Sequence, residues 1–326
     1  MAAFDKFGLD KIDLPTHTGF EYEPVVPGRT SHIDADFLCY MASAETRDEK
    51  DGLKPKRTLE EMEAQVMSIA EHYRRLVRAE FSELHITPSG SNKGGRDALA
   101  VLKPYQGNRK DKAKPEHLDH IRAYIGEQPN GVVHLDQEAD DGMTQANYFA
   151  WKAGQSDLSV IVSKDKDLRM APGLHWDFDD EVLVDVDMRF GMTWLDRSKS
   201  TAKGTGWGTK FFWLQMLMGD TADNISGLPL VHGESLALVG IGKKGQKPRR
   251  CGPALAVSIL EGLETDLQCW DTVKWLWETS PTEWMHHRTG LPATWKEAMM
   301  GDAQLLWMRR TKDDTVIKWI VNEVQV

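Results

Sequence analysis

Cysteine is scarce in this chain and is not arranged for joint work. Cys39, Cys251 and Cys269 are odd in number, far apart and without a CxxC spacing. That pattern excludes a disulfide framework and a zinc ribbon, so the three read as core thiols. Long apolar runs are also missing, and the N-terminal MAAFDKFGLDKID lacks the basic-then-apolar order of a secretory signal. No membrane partner is expected, and a soluble, cytoplasmic protein is. Positive charge is in deficit too: 40 Lys and Arg against 50 Asp and Glu give a formal net charge of −10. Taken alone, that sum argues against a polyanionic partner.

What is present is 326 residues with 40% apolar content, enough for a large α/β domain and a smaller helical region. The acids are unevenly spread. In HLDQEADDGMTQA, His134 to Ala146, the residues Glu138, Asp140 and Asp141 crowd a junction between an apolar run and an amphipathic one. Carboxylates a few ångströms apart repel by several kcal/mol at intermediate dielectric, and a hard divalent cation relieves them. Two such ions, magnesium or manganese, would move the net charge to about −6. The basic residues gather in KPYQGNRKDKAK (Lys103 to Lys114) and KKGQKPRR (Lys243 to Arg250), as if to steer a polyanion toward metal.

Residues 1–28, rich in Pro, Gly and Asp, read as an arm over the domain surface. A first strand is expected over Arg29 to Ala35, ending in acids Asp34 and Asp36. Thr58-Leu59-Glu60-Glu61 has the form of a capping box, and apolar residues then recur at helical spacing to Leu76. Glu83 to Thr87 predicts a second strand, and residues 89–115 an exposed excursion. Pro115 opens a helix to Ile125, Gly131 to Leu135 is a strand, and the acid cluster starts a helix that Gly154 ends. Leu158 to Ser163 reads as a buried parallel strand and Glu181 to Met188 as an edge strand. DRSKSTAKGTGWG reads as a flexible loop, Phe211 to Met218 as a buried helix, and the rest as helical and rich in Trp. Alternating strands and helices predict a parallel sheet covered on both faces, with ligands beyond the strands' carboxyl ends.

Five motifs occur in one order: Asp34 on the first strand, YQGNR at Tyr105 to Arg109, EADD at Glu138 to Asp141, SKDKDL at Ser163 to Leu168, and GDTADNISGL at Gly219 to Leu228. Together they resemble the 5′-nucleases, a family of flap endonucleases, phage 5′ to 3′ exonucleases and the 5′-nuclease domain of bacterial DNA polymerase I. The resemblance covers about residues 29 to 262. It implies a PIN-like α/β fold with a parallel-rich sheet over 29–208, a helical arch at about 89–115, and a helix-three-turn-helix with a helical region over 209–326. It implies one metal region at Asp34, Glu138, Asp140 and Asp141 and another at Asp165, Asp167, Asp220 and Asp223. Asp34, Arg109, Asp140 and Asp165 are implied as catalytic. Contacts to DNA are implied at Arg96, Tyr105, Arg109, Lys110, Lys112, Gly240, Gly242, Lys243 and Lys244. Magnesium or manganese, two ions, is the implied cofactor, with potassium in the helix-three-turn-helix. The implied partner is DNA with a free 5′ end or flap, with an RNA/DNA hybrid as a variant substrate, bound by a monomer. A phage-encoded copy would work in the host cytoplasm.

Two positions depart from the family. Gln106 stands where a Lys is usual, and Thr87-Pro88-Ser89-Gly90 follows the second strand where an Asp is usual. Leu230 to Leu238 and Gln246 to Arg250 read as insertions in the helix-three-turn-helix. Gly240 to Gly245 also fits GxGxxG, but Pro248 sits where a dinucleotide fold needs its helix. His117 and His120 read as surface residues, and the C-terminal tryptophans as core. Two other functions remain open: a PIN-like ribonuclease, and a non-catalytic protein that binds flaps or 5′ ends.

Overall fold

A computed structural model describes residues 22–43, 57–109, 113–186, 190–198, 200–243 and 245–324. Most of the 1–28 arm lies outside the described residues. Its end does not behave as an arm, because residues 26–28 already belong to the first strand.

The chain divides into two compact units, one of Met1–Ser91, Ala113–Lys164 and Leu174–Val184, the other of Asn92–Lys112, Asp165–Gly173 and Asp185–Val326. Within 29–208, residues 92–112, 165–173 and 185–208 group with the C-terminal part.

The first unit contains β1 (Val26–Asp34), α1 (Ala35–Ser43), α2 (Leu59–Leu76) and β2 (Ala79–Ile86). After α3 (Arg96–Leu99), which belongs to the second unit, come α4 (Leu118–Gly126), β3 (Gly131–Val133), α5 (Ala139–Lys152), β4 (Ser159–Val162), β5 (Gly173–Asp177) and β6 (Val182–Val186). Helix α2 starts as its sequence requires: the Thr58 hydroxyl accepts from the Glu61 N–H while the Glu61 carboxylate accepts from the Thr58 N–H. The six strands run in the order β3-β2-β1-β4-β5-β6, and β3–β2, β2–β1, β1–β4 and β4–β5 pair in parallel. The α/β class with a parallel-rich sheet flanked by helices therefore holds.

Strand side chains alternate between faces. One face, carrying Ile33, Leu84, Ile86, Val160 and Val162, joins Leu38, Val66, Ile69, Ile121 and Ile125 of α1, α2 and α4 in one core. The other carries His32, Glu83 and His85, and α5 packs on β1, β2 and β4. From β1 the chain moves to β2 and β3 on one side, and from β4 to β5 on the other. The strand order therefore reverses between β1 and β4, the position where such sheets place ligands beyond the strand ends.

The second unit adds β7 (Met192–Asp196), β8 (Lys203–Trp207), α6 (Thr209–Met218), β9 (Leu230–Val231), α7 (Gly233–Leu238), β10 (Arg249–Arg250), α8 (Pro253–Leu260), α9 (Asp266–Glu278), α10 (Trp295–Leu306) and α11 (Val316–Trp319). The stretch read as a flexible loop is a hairpin instead, with β7 and β8 paired antiparallel from Met192↔Trp207 to Asp196↔Lys203. Its glycines hid it: Gly206 is in the ladder because a Cβ there would lie 2.5 Å from the Met192 carbonyl. Helix α6 is buried nearly all round and centres the unit's core. Around it, Trp307 and Trp319 stack at 4.4 Å, the Trp277 indole N–H donates to the Met216 carbonyl at 3.2 Å, and that of Trp213 to Asp266 at 2.8 Å. The C-terminal tryptophans are core, as read. Cys39, Cys251 and Cys269 are free and buried. No helix among the described residues is long and apolar enough to cross a membrane.

Candidate metal and nucleic-acid site

In the second unit, two local structures deliver four acids. Asp165 caps the 3₁₀ turn Lys166–Met170, its Oδ1 accepting the Asp167 N–H at 2.9 Å, which fixes both carboxylates at the start of the turn. Asp220 and Asp223 come from the GDTADNISG loop after α6. That loop is closed by paired bonds between Asp220 and Ile225 at 3.0 and 2.7 Å. It folds this tightly because Gly219 and Gly227 adopt φ of 73° and 62°, and a Cβ on Gly227 would lie 2.1 Å from the Gly219 nitrogen.

The result is convergence. One carboxylate oxygen each from Asp167, Asp220 and Asp223 lies within 4.8 Å of the others. Lys166 Nζ sits 3.2 Å from Asp167 and 3.0 Å from Asp220, and Gln215 Nε2 donates to Asp167 at 2.5 Å. Burial drives the Asp167 carboxyl well above the usual range, with Asp165, Asp220 and Asp223 adding to the rise against Lys166. Asp165 is raised by burial and by Asp223. Asp220 goes the other way: burial opposes its charge, yet the Lys166 ammonium and the Ala222 N–H hold it below the ordinary value. Four carboxylates meet too few cations here, and an oxygen-only donor set of this kind fits a hard divalent ion.

Tyr105, Gln106 and Arg109 all turn to this pocket. Arg109 Nη2 donates to Asp223 at 2.5 Å, the Tyr105 hydroxyl to the other Asp223 oxygen at 3.2 Å, and Gln106 Nε2 to Asp223 at 3.2 Å. Tyr105 is only 8% exposed and forms a wall of the pocket. Lys93 Nζ donates to Gln106 Oε1 at 2.5 Å, placing a cation beside the position where a lysine was missed. Arg96, expected at the DNA surface, is fully buried and donates to the Trp307 carbonyl at 3.2 Å. It is a core residue, and Ala100 and Tyr105 of the same stretch are buried as well. Lys110 and Lys112 lie outside the described residues.

The other four acids belong to the first unit. Asp34 ends β1, accepting the Ser163 hydroxyl at 2.8 Å and the Asp36 N–H at 3.0 Å, so it stands at the β1–β4 reversal. Glu138 is the N-cap residue of α5, with Asp140 half-buried and Asp141 fully buried in its first turn. Among the described residues, no three of these acids come within 4.8 Å as those of the second unit do. Where the family has its extra acid, Thr87 instead donates its N–H to Asp36 Oδ2 at 3.0 Å, and its hydroxyl accepts the Ala139 N–H at 2.9 Å. Arg122 pairs with Asp36 at 2.7 Å. Asp36 thus ties the ends of β1 and β2 to α4.

The region read as a helix-three-turn-helix contains α7 and α8, joined through Gly240 and Gly242 at φ of 79° and 90°. Leu230 to Leu238, read as an insertion, is structured: it supplies β9, α7 and the buried Val231 and Leu236. Arg249–Arg250 pairs with it as β10. Lys243 is exposed, and Lys244 lies outside the described residues.

Sequence reasoning missed Lys166, Lys93 and Gln215 at the acid pocket. Lys166 alone had a signal, a cation between two acids in DKD. No protein-family model matches the chain, and no curated protein matches it. Among solved structures it is similar to zinc-bound 5′-exonuclease of bacteriophage T5, at 16% identity and TM-score 0.46, covering 85% of this chain and 86% of that one. It is also similar to a variant of the bacteriophage T5 flap endonuclease in a pseudo-enzyme–product complex with DNA and metal ions, at 16% identity and TM-score 0.47 with the same coverage. At this identity and TM-score, what the site can do is read from this chain's own side chains.

Proposed function

We propose that this chain is a divalent-metal-dependent 5′ to 3′ nuclease that hydrolyses DNA at a free 5′ end or 5′ flap and leaves 5′-phosphorylated products. The observation that carries this reading is the convergence of Asp167, Asp220 and Asp223 within 4.8 Å, with Asp165 accepting the Asp167 N–H and Arg109 alongside. Divalent cations bound there would supply the charge that phosphodiester hydrolysis needs at the attacking and leaving oxygens. Magnesium or manganese suits the all-oxygen donors.

The protein groups have separable tasks. Asp165, Asp167, Asp220 and Asp223 hold the cations, with Asp34, Glu138, Asp140 and Asp141 as the second set. Arg109, 48% exposed on its side chain, can exchange Asp223 for a phosphate and grip it through two N–H groups. Lys93 replaces the family's arch lysine, acting through or past Gln106. The glycine turns at Gly240 and Gly242, with Lys243, contact duplex phosphates, and their carbonyls take potassium. Contacts of this kind read backbone shape rather than base sequence. The protein acts as a monomer in the cytoplasm.

The test uses 5′-labelled flap DNA with magnesium, beside an EDTA control and an RNA substrate of the same structure. Magnesium-dependent release of label from DNA, abolished in Asp165→Asn with folding intact, is the expected result. Full activity in that variant removes the site assignment. Cleavage of RNA alone selects a PIN-like ribonuclease, and binding without cleavage a flap- or end-binding protein.

A further inference from the structure

On the face of the first unit's sheet opposite its main core, three residues meet that no motif unites. His32 on β1 is the register partner of Glu83 on β2, and His85 stands two residues further along β2 on the same face. His32 Nδ1 lies 3.1 Å from Glu83 Oε2 and 3.1 Å from His85 Nε2, and His85 Nε2 lies 3.4 Å from Glu83 Oε2. The ligand atoms thus form a triangle with edges of 3.1 to 3.4 Å. In a tetrahedral zinc site with bonds of about 2.0–2.1 Å, ligand atoms are separated by roughly 3.3 Å. The triangle has the dimensions of one face of that tetrahedron.

We infer that His32, Glu83 and His85 form a binding site for one borderline divalent cation, zinc foremost, which clamps β1 to β2 under α5. Two imidazoles and one carboxylate form a donor set that selects zinc over magnesium, unlike the all-oxygen pocket of the second unit. The support around the ligands is also in place. A ligating imidazole needs a partner on its other nitrogen, and His85 Nδ1 has His134 Nε2 at 2.9 Å, the two rings stacked with 10° between planes. His134 is seated by Gln137 at 3.2 Å, and Gln137 by Gln145 at 2.9 Å. Gly142 of α5 gives the His134 ring its room, because a Cβ there would lie 2.2 Å from it. His32 and His85 are buried, while the Glu83 side chain is 46% exposed and leaves a route from solvent.

For His85 Nε2 to ligate, its ring proton must sit on Nδ1 and be donated to His134 Nε2, so the His134 contact sets the tautomer that a metal site requires. A single cation placed against the triangle then meets one atom from each of His32, Glu83 and His85.

The inference is independent of the nuclease reading, and its test needs no DNA. Full-length protein is stripped with EDTA, given zinc in a large excess of magnesium, desalted, and assayed for bound metal. Cobalt replaces zinc in a parallel sample to give the visible spectrum of a tetrahedral ion. Wild type and Asp220→Asn, which disables the acid pocket, should each retain one zinc per chain. Glu83→Gln and His85→Gln should lose it with affinity down at least about tenfold. Glu83→Gln alters a half-exposed side chain, and an unchanged near-ultraviolet circular dichroism spectrum confirms its fold. No retained zinc in wild type, or equal retention in Glu83→Gln and His32→Gln, overturns the inference.

Discussion

Asp167→Asn separates what the acid pocket costs the fold from what it contributes to chemistry. The Asp167 carboxylate lies 3.2 Å from Lys166 Nζ and within 4.8 Å of Asp220 and Asp223. At an effective dielectric of about 20, Coulomb's law gives about 5 kcal/mol of attraction to Lys166 and about 3.5 kcal/mol of repulsion from each carboxylate at the far limit. Repulsion exceeds attraction by about 2 kcal/mol before the burial penalty is counted. The raised Asp167 carboxyl has the same origin, burial first and the neighbouring acids after it. An Asn keeps an oxygen to accept from Gln215 Nε2 and drops the charge. In EDTA the variant should therefore melt higher than wild type, by on the order of 5 °C. Magnesium should raise the wild-type melting temperature more than that of the variant, and hydrolysis should fall by about 10²-fold or more. Calorimetry in both buffers, beside the flap assay, reads all three quantities. A variant that melts lower than wild type in EDTA refutes the repulsion argument, and one with full activity refutes the site.

Three further expectations follow from individual contacts. Lys166→Met leaves Asp167 and Asp220 without their ammonium, so metal-free protein should lose about 1–3 kcal/mol, less than for a fully buried pair because the lysine is 38% exposed, with most of it recovered in excess magnesium; an equal loss in both buffers contradicts the role of Lys166 as a counter-ion. Arg109→Ala removes a half-exposed guanidinium whose pairing with Asp223 is screened by solvent and worth about 0–1 kcal/mol, so stability should hardly move while the rate drops about 10²-fold, measured by single-turnover cleavage. Asp302, which accepts the Gly227 N–H at 2.9 Å, is pushed up to about 7 by burial against an unfolded value near 3.9. The folded state then binds the proton more tightly, so stability should fall as pH rises from about 4 to about 7, by about 4 kcal/mol, and level off above. Denaturation across that range in saturating magnesium should show the slope in wild type and a flatter curve in Asp302→Asn.

The parts legible in the sequence were those encoded locally. The Thr58–Glu61 capping box, the apolar runs of β4 and α6, and the start of α5 at the acid cluster each need only a few neighbouring residues. The acids of the second unit were legible because each sits in a short turn motif, DKD or GDTADN, whose backbone dictates its direction. The misreadings came from long-range packing. Glycine and charge marked 92–109 and 203–208 as loops, whereas burial of Arg96 and Tyr105, and cross-strand pairing of Gly206 with Thr193, made them structure. His32, Glu83, His85 and His134 were invisible for the same reason. Their proximity depends on the pairing of β1 with β2, and their one sequence trace is the alternation of Glu83 and His85 along a strand.

A pocket of like charges must survive folding before any ion arrives, and Lys166 explains how this one does. Its side chain is only partly buried, at 38% exposure, and although that burial disfavours its charge, Asp167, Asp220 and Asp165 hold its pKa above the ordinary lysine value. The cation is built into the same 3₁₀ turn as two of the acids, so the turn cannot form without bringing its own partial neutralisation. Neutralisation stays incomplete, because one ammonium faces several carboxylates, three of which converge within 4.8 Å. Divalent ions should accordingly bind here with displacement of Lys166 Nζ from Asp167 and Asp220. The freed ammonium would then stand beside the pocket where a phosphate arrives, so a loss of rate in Lys166→Met at saturating magnesium, with stability restored, is the signature that the lysine serves both states.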